Sequence, residues 1–296
     1  MDAEPGSAPL NATDLGFGGN EASGWTLSLR RRQVEFRLLQ TLDDLRQAER
    51  LQEEVFGVSE RDLIPANELI VVPETGGAVI GAFLSQQPED AAGVLVGWGG
   101  FVGKPRIVSD FLAVRPEARN LGLAAELKRL QAAIALERGF EEIVWTVDPL
   151  RAANARLNFG KLGATAMSYE IDRYGSAFAP FLYGGLPSDR LHVTWAITSP
   201  SVIARLRYQA DAAPSSNRET EPYSPGGRQH VARVDIPTDI DLLLTENPAH
   251  ALAWRMRVRE ALLAAFAEGF AITGFQPARS GGLPALTLER LPAPGP

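Results

Sequence analysis

Cysteine is absent from all 296 residues, so thiol nucleophiles, disulfides and cysteine-ligated metal sites are excluded. Histidine occurs only at His192, His230 and His250, a scatter without metal-ligand spacing, so no metal is expected. No uninterrupted apolar run reaches the roughly 20 residues of a spanning helix, and no membrane partner is expected. The opening residues, MDAEPGSAPL, lack a basic region leading into an apolar one, so no signal peptide is predicted and a cytoplasmic protein is the expectation. There is no excess of basic charge either: the formal net charge is -7, which argues against a nucleic-acid partner. No internal repeat is visible. What is present is ordinary for a globular chain, 45% apolar and 22% charged, and long enough to bury a core in one large domain or two smaller ones.

Taken in order, residues 1–32 carry Gly, Ser, Asn and Pro without periodicity and read as a mobile extension. Val34–Leu38 alternates like a half-buried strand, and Thr41 caps a helix to about Phe56 with Leu45, Ala48, Leu51 and Val55 on one face. Leu69–Val72 and Ala78–Leu84, either side of PETGG, predict a hairpin. Glycine-rich Gly93–Val102 is a strand turned at Lys104-Pro105, and its glycines mark a bulge or a close backbone approach. Gln209–Arg228 is Pro/Ser/Gly-rich and reads as a linker. Beyond it, Asn247-Pro248 starts a helix with Trp254, Val258, Leu262 and Phe266 inward, closed by Gly269. Its Arg255, Arg257 and Arg259 form either an anion-binding face or a solvated one.

The most informative stretch is Ser109–Ala124, SDFLAVRPEARNLGLA. It reads as a strand ending at Val114, a break at Arg115-Pro116, a turn over Arg119-Asn120-Leu121-Gly122-Leu123-Ala124, and a helix running to about Arg138. A helix start leaves several backbone N–H groups without partners, and the helix dipole adds partial positive charge there. That combination suits a phosphate group.

Arg119, Gly122 and Ala124 fit R-x-x-G-x-A directly after a strand, and NARLNFGKLGA (Asn154–Ala164) follows downstream. Together they resemble motifs A and B of the GNAT superfamily of acyl-CoA-dependent N-acyltransferases, over about Val34–Thr198. More narrowly, DPLRAANARLNFGKLGA, GLPSDRLHVTW and the distal ALAWRMRVREALLAAFAEGFAITGF resemble a subgroup with a C-terminal extension associated with N-acylamino-acid metabolism. The resemblance implies an α/β (α+β) fold with a mixed, largely antiparallel sheet flanked by helices and a C-terminal strand–helix–strand extension. The domains expected are an extension over 1–32, an acyltransferase domain over 33–208, a linker over 209–229 and the extension over 230–296.

It also implies roles. Backbone N–H groups of Leu121, Gly122, Leu123 and Ala124, with Arg119 and Asn120 beside them, hold the pyrophosphate of acetyl-CoA or another acyl-CoA. Leu112, Ala113 and Val114 pair with the pantetheine amides, and Asn154 is carried over as a cofactor contact. Asp110 stands where the family often has an acidic residue, and period-2 geometry places it on the face of Leu112 and Val114. It is either the proton acceptor for the amine or a structural carboxylate. The departure is Phe159, at the position of a tyrosine that protonates the thiolate in many relatives; Tyr169 and Tyr174 are the candidate substitutes. The function expected is acetyl or succinyl transfer to a small amine, plausibly an amino acid, with a homodimer left open. The alternative is a catalytically silent acyl-CoA-binding module that regulates or scaffolds.

Overall fold

Thr41 Oγ1 accepts the Asp44 N–H at 3.2 Å and starts helix α1, Leu42–Phe56. The computed structural model describes residues 9–60, 62–175, 183–207, 220–279 and 281–291. In the described residues the fold is mixed α/β, with a mostly antiparallel sheet flanked by helices. The chain divides into two units. The first comprises Met1–Phe56, Leu63–Ile143 and Ala196–Arg207, and the second Gly57–Asp62, Val144–Trp195 and Tyr208–Pro296.

In the first unit six strands neighbour one another in chain order: β1 (Gly18–Asn20), β2 (Gly24–Leu29), β3 (Arg32–Leu38), β4 (Ala78–Leu84), β5 (Gln87–Val102) and β6 (Lys104–Val114). Every pairing is antiparallel. On one face, Leu45, Ala48 and Leu51 of α1 bury against Val79, Phe83, Val94, Val96 and Ala113, together with Leu69 of the short helix α2, Ala66–Leu69. Alternation sends Gly93 and Gly97 to the opposite face, where they meet Leu127 and Gln131 of helix α3, Leu123–Glu137.

Three expectations are corrected here. Residues 9–32 are not an extension without structure: β2 pairs along its length with β3, and Phe17, Trp25 and Leu27 are buried. Arg129 of α3 donates to the carbonyls of Leu15 and Leu206, tying the N-terminal turn to helix α5, Pro200–Arg207. The alternation of Trp25, Leu27 and Leu29 was the signal for this strand. Leu69–Val72 makes no hairpin with Ala78–Leu84. That segment is helical, and β4 pairs with β5 instead. The turn after β5 is centred on Gly103, at φ +73°, with Lys104 already in β6. The close-approach reading of the glycines holds, because a Cβ on Gly99 would lie 1.7 Å from the Thr75 carbonyl oxygen.

The second unit orders its strands β7-β9-β8-β11-β12-β10. These are β7 (Glu142–Val147, in this unit from Val144), β8 (Thr165–Glu170), β9 (Arg190–Ala196), β10 (Val231–Asp235), β11 (Phe270–Gln276) and β12 (Ala285–Arg290). After β7 come a short helix α4, Ala152–Ala155, and a π-helical turn over Arg156–Lys161. Helix α6 is Ile240–Glu246 and α7 is Pro248–Ala267, the latter started by Asn247 as expected. Trp254, Val258 and Leu262 are buried, with Ala265 rather than Phe266 completing the inward face. Much of the expected linker, residues 209–219, lies outside the described residues. In the rest of the expected linker Pro222 is bridged to Arg233 and the Tyr223 hydroxyl donates to Glu268.

Arg255 and Arg259 of α7 form neither an anion-binding nor a solvated face, whereas Arg257 is exposed. Arg255 makes two hydrogen bonds to Asp148 at 2.9 and 2.8 Å, and Arg259 makes two to Asp189 at 2.8 and 2.9 Å. Arg257 stacks on the Trp254 ring at 3.5 Å.

Candidate active site

Pro116 fixes the break after β6. The residue before a proline is pushed towards extended backbone, and Arg115 obeys at φ -54°, ψ 143°. A 3-10 turn over Pro116–Leu121 follows, and Gly122 closes it at φ +88°, a left-handed conformation that only glycine adopts without strain. The same glycine is the N-cap of α3, and no side chain caps that end. The Ala125 N–H bonds to the Gly122 carbonyl at 3.0 Å as the helix begins, whereas the N–H groups before it have no intrahelical acceptor by geometry. A Cβ at Gly122 would meet nothing within 4 Å, so the space above the turn is open. Glycine is therefore required here by conformation.

An uncapped helix start with open space above it fits a phosphate. Of the residues expected around it, Arg119 and Asn120 are exposed, Leu121, Gly122 and Ala124 are half-buried, and the Leu123 side chain is core. Arg119 Nε donates to the Val114 carbonyl at 3.4 Å, bringing its guanidinium back towards the strand end. Leu112 is half-buried, and Ala113 and Val114 are buried. Asn154 is exposed in α4, in the second unit.

The structure alters the position of Asp110. Leu112 pairs with Leu95 and Ser109 with Gly97, so Asp110 and Phe111 together oppose Val96. This is a β-bulge, and it reverses the alternation along β6. Before it, Ser109 points to α3 and receives a hydrogen bond from Lys128 at 2.8 Å. After it, Ala113 joins the α1 face, while Val114 stands beside Gly93 on the α3 face. Asp110 meets Trp98, which packs with Phe111 on the α1 face. Asp110 thus lies opposite Val114, and the expectation of a shared face with Leu112 and Val114 fails because the bulge breaks the period.

Trp98 Nε1 donates to Asp110 Oδ2 at 3.1 Å. Burial of its surroundings raises the Asp110 pKa, with the indole hydrogen bond opposing; the side chain keeps exposed surface, which moderates the shift. Phe111 meets Phe56 edge-on at 6.3 Å, and Arg115 pairs with Glu54 at 3.1 Å. The patch therefore presents an exposed carboxylate beside aromatic rings, close in sequence to the uncapped start of α3.

Sequence reasoning missed Lys128. Its ammonium is buried under β6, and desolvation lowers its pKa to about 7. The residue sits beside Leu127 on a helix buried over most of its circumference, which an amphipathic pattern does not disclose.

In the second unit Phe159 is fully buried, so it packs the core and brings no hydroxyl. Of its candidate substitutes, Tyr169 donates to Asp189 at 2.7 Å, and burial followed by that carboxylate pushes its pKa up. The Tyr174 hydroxyl lies 3.5 Å from Thr146 Oγ1 on a partly exposed ring. The bidentate Asp148–Arg255 pair is architectural. A cavity of about 260 Å³ at the other end of α3 is lined by Glu21 and Arg138, already paired to each other. Among the described residues there is no group of three or more His, Cys, Asp or Glu able to hold a metal, and no helix long and apolar enough to cross a membrane.

Residues 36–163 match the model of a family described as Acetyltransferase (GNAT) family. No curated protein matches the chain. Among solved structures it is similar to a GNAT-family acetyltransferase from Streptococcus pneumoniae, with 16% identity, 54% of this chain and 97% of that one covered, and a TM-score of 0.43. It is similar to the ribosomal-protein-S18-alanine N-acetyltransferase from Escherichia coli, with 15% identity, coverage of 56% and 95%, and a TM-score of 0.44. A third is Naa50 of Arabidopsis thaliana in complex with the bisubstrate analogue CoA-Ac-MVNAL, with 15% identity, coverage of 54% and 97%, and a TM-score of 0.43.

Proposed function

We propose that the chain is an acyl-CoA-dependent N-acyltransferase that acts on a small amine such as an amino acid, a reading supported by the match of residues 36–163 to the acetyltransferase (GNAT) family model. The observation that carries this is the uncapped start of α3 at Gly122, with open space above it. Backbone N–H groups of Leu121–Ala124 would hold the pyrophosphate, with Arg119 as a guanidinium donor and Asn120 beside it. Leu112–Val114 would offer backbone pairing to the pantetheine amides, and Asn154 is a further contact carried over from the family. When bound, the acyl-CoA supplies the activated thioester. Asp110 would take a proton from the incoming ammonium, and its raised pKa makes it a better acceptor than an ordinary surface aspartate.

The resemblance of the C-terminal half to the subgroup associated with N-acylamino-acid metabolism supports an amino-acid acceptor, with acetyl and succinyl donors both open. A cytoplasmic enzyme without a nucleic-acid partner or a metal, and a homodimer, belong to the same reading. The test is thiol release from acetyl- and succinyl-CoA in the presence of an amino-acid panel, with amine-dependent release expected. One observation favours a second reading. Phe159 is buried and has no proton to give a thiolate, which suits a silent acyl-CoA-binding module. Tight CoA binding without release for any amine would select that reading.

A further inference from the structure

The bulge in β6 places Asp110 where one side chain can reach it from the neighbouring strand. Trp98 lies two residues beyond Val96 on β5, pairs with Val108, and its indole spans the bulge to the carboxylate. The indole has a single polar atom, a donor, and that donor is given to Asp110 Oδ2 at 3.1 Å. Its ring is half-buried against the α1-face core, together with Phe111. A donor fixed by packing restricts where the carboxylate can point, and with Oδ2 engaged, Oδ1 is left to receive a proton.

Two carboxylates on the neighbouring elements are engaged elsewhere. Glu54 of α1 pairs with Arg115, and Glu142 at the start of β7 pairs with Lys104 and Arg106 of β6. Among the described residues no ion pair involves Asp110, so the indole is the group that holds it. A carboxylate clamped by a cation would be a weak proton acceptor. One held by a neutral donor stays both oriented and basic.

From this geometry we infer that Trp98 is a positioning residue for acyl transfer, holding Oδ2 of Asp110 so that Oδ1 receives the proton of the acceptor ammonium. The inference rests on the proposed acyltransferase reading. In the step, one ammonium proton passes to Oδ1 and the freed nitrogen lone pair forms the C–N bond to the acyl carbon. The C–S electron pair leaves on the sulfur of coenzyme A. A second nitrogen proton ends on that sulfur, giving amide, free thiol and protonated Asp110.

Two arms test it. In the protein without substrate, the indole ¹H–¹⁵N resonance that disappears in Trp98→Phe should titrate with Asp110 in the wild type and stop titrating in Asp110→Asn. A resonance that does not move with pH overturns the contact. In the thiol-release assay, Trp98→Phe keeps the ring but loses the donor. It should move the acid limb of kcat/KM upward by about one pH unit, the size expected for one hydrogen bond to a charged group. Acyl-CoA affinity should be unchanged. In the Asp110→Asn background, Trp98→Phe should add nothing, whereas a merely structural tryptophan would give additive losses. An unmoved acid limb with Asp110→Asn impaired overturns the role of Trp98 alone. Full turnover in Asp110→Asn removes Asp110 from the mechanism and overturns this inference alone, whereas no release with any amine overturns the acyl-transfer reading and this inference with it.

Discussion

Asp110 lies within β6 at its bulge and Asp148 directly after β7, and each receives its decisive hydrogen bonds from a side chain outside its own element. Asp110 keeps exposed surface and is held by the neutral indole of Trp98, so burial of its surroundings prevails and its pKa is raised. Asp148 is buried completely. Burial pushes its pKa up, but the charge and two hydrogen bonds of Arg255, with the Leu150 N–H and Arg151, together pull it below the usual value. The difference is one of basicity. A carboxylate locked to a guanidinium has little basicity to offer, whereas one held by a neutral donor retains it.

Breaking the architectural member should have the largest effect. Asp148→Asn or Arg255→Met alone strands a buried charge and should cost about 3–5 kcal/mol in urea unfolding. The double variant Asp148→Leu with Arg255→Met should recover most of that loss. Because the folded pKa of Asp148 is depressed, its contribution is present above the unfolded carboxylate value and lost as pH falls through the folded one. Acid unfolding of the wild type should therefore be steeper than that of the double variant.

Next comes the cradle. Gly122→Glu forces a side chain into φ +88° and sets a carboxylate against the phosphates. Calorimetric titration should show CoA affinity lowered roughly 100-fold or more. For the chemical member of the comparison, Asp110→Asn should lower kcat about 10- to 100-fold while changing stability by less than about 1 kcal/mol. Thiol-release kinetics and a melt on one preparation read both; a large stability loss with intact turnover would place Asp110 with Asp148.

The smallest effect sharpens the contrast with a buried cation. With its folded pKa lowered to about 7 against the ordinary 10.5, Lys128 makes the unfolded chain bind more protons between those values, so stability rises with pH across that window. Lys128→Met should remove that rise. It should also stabilise the protein at pH 7 by about 1 kcal/mol, because the gain from removing a buried charge is partly offset by lost hydrogen bonds to Ser109 and Gln131.

The turn over Arg119–Ala124 was legible because its signals are local: a proline that ends a strand, a glycine with the required φ, and an apolar helix behind it. Thr41, Asn247 and the inward face of α7 were legible for the same reason. Missed were features made by pairing. The β2 strand needed β3 to explain the alternation of Trp25, Leu27 and Leu29. The face of Asp110 depended on a bulge set by its register with β5. The partner of Arg255 lies 107 residues away.

The sequence by itself determined the turn at Arg119–Ala124, its left-handed glycine and the helix start behind it, since backbone conformation and capping depend on neighbouring residues. Only the tertiary structure decided that Asp110 turns to the side of Trp98, and that Arg255 and Arg259 of α7 are consumed by Asp148 and Asp189. The physical reason is that register and desolvation are properties of pairs brought together by folding. An isolated aspartate or arginine carries no record of which partner will reach it or of how much water it will lose.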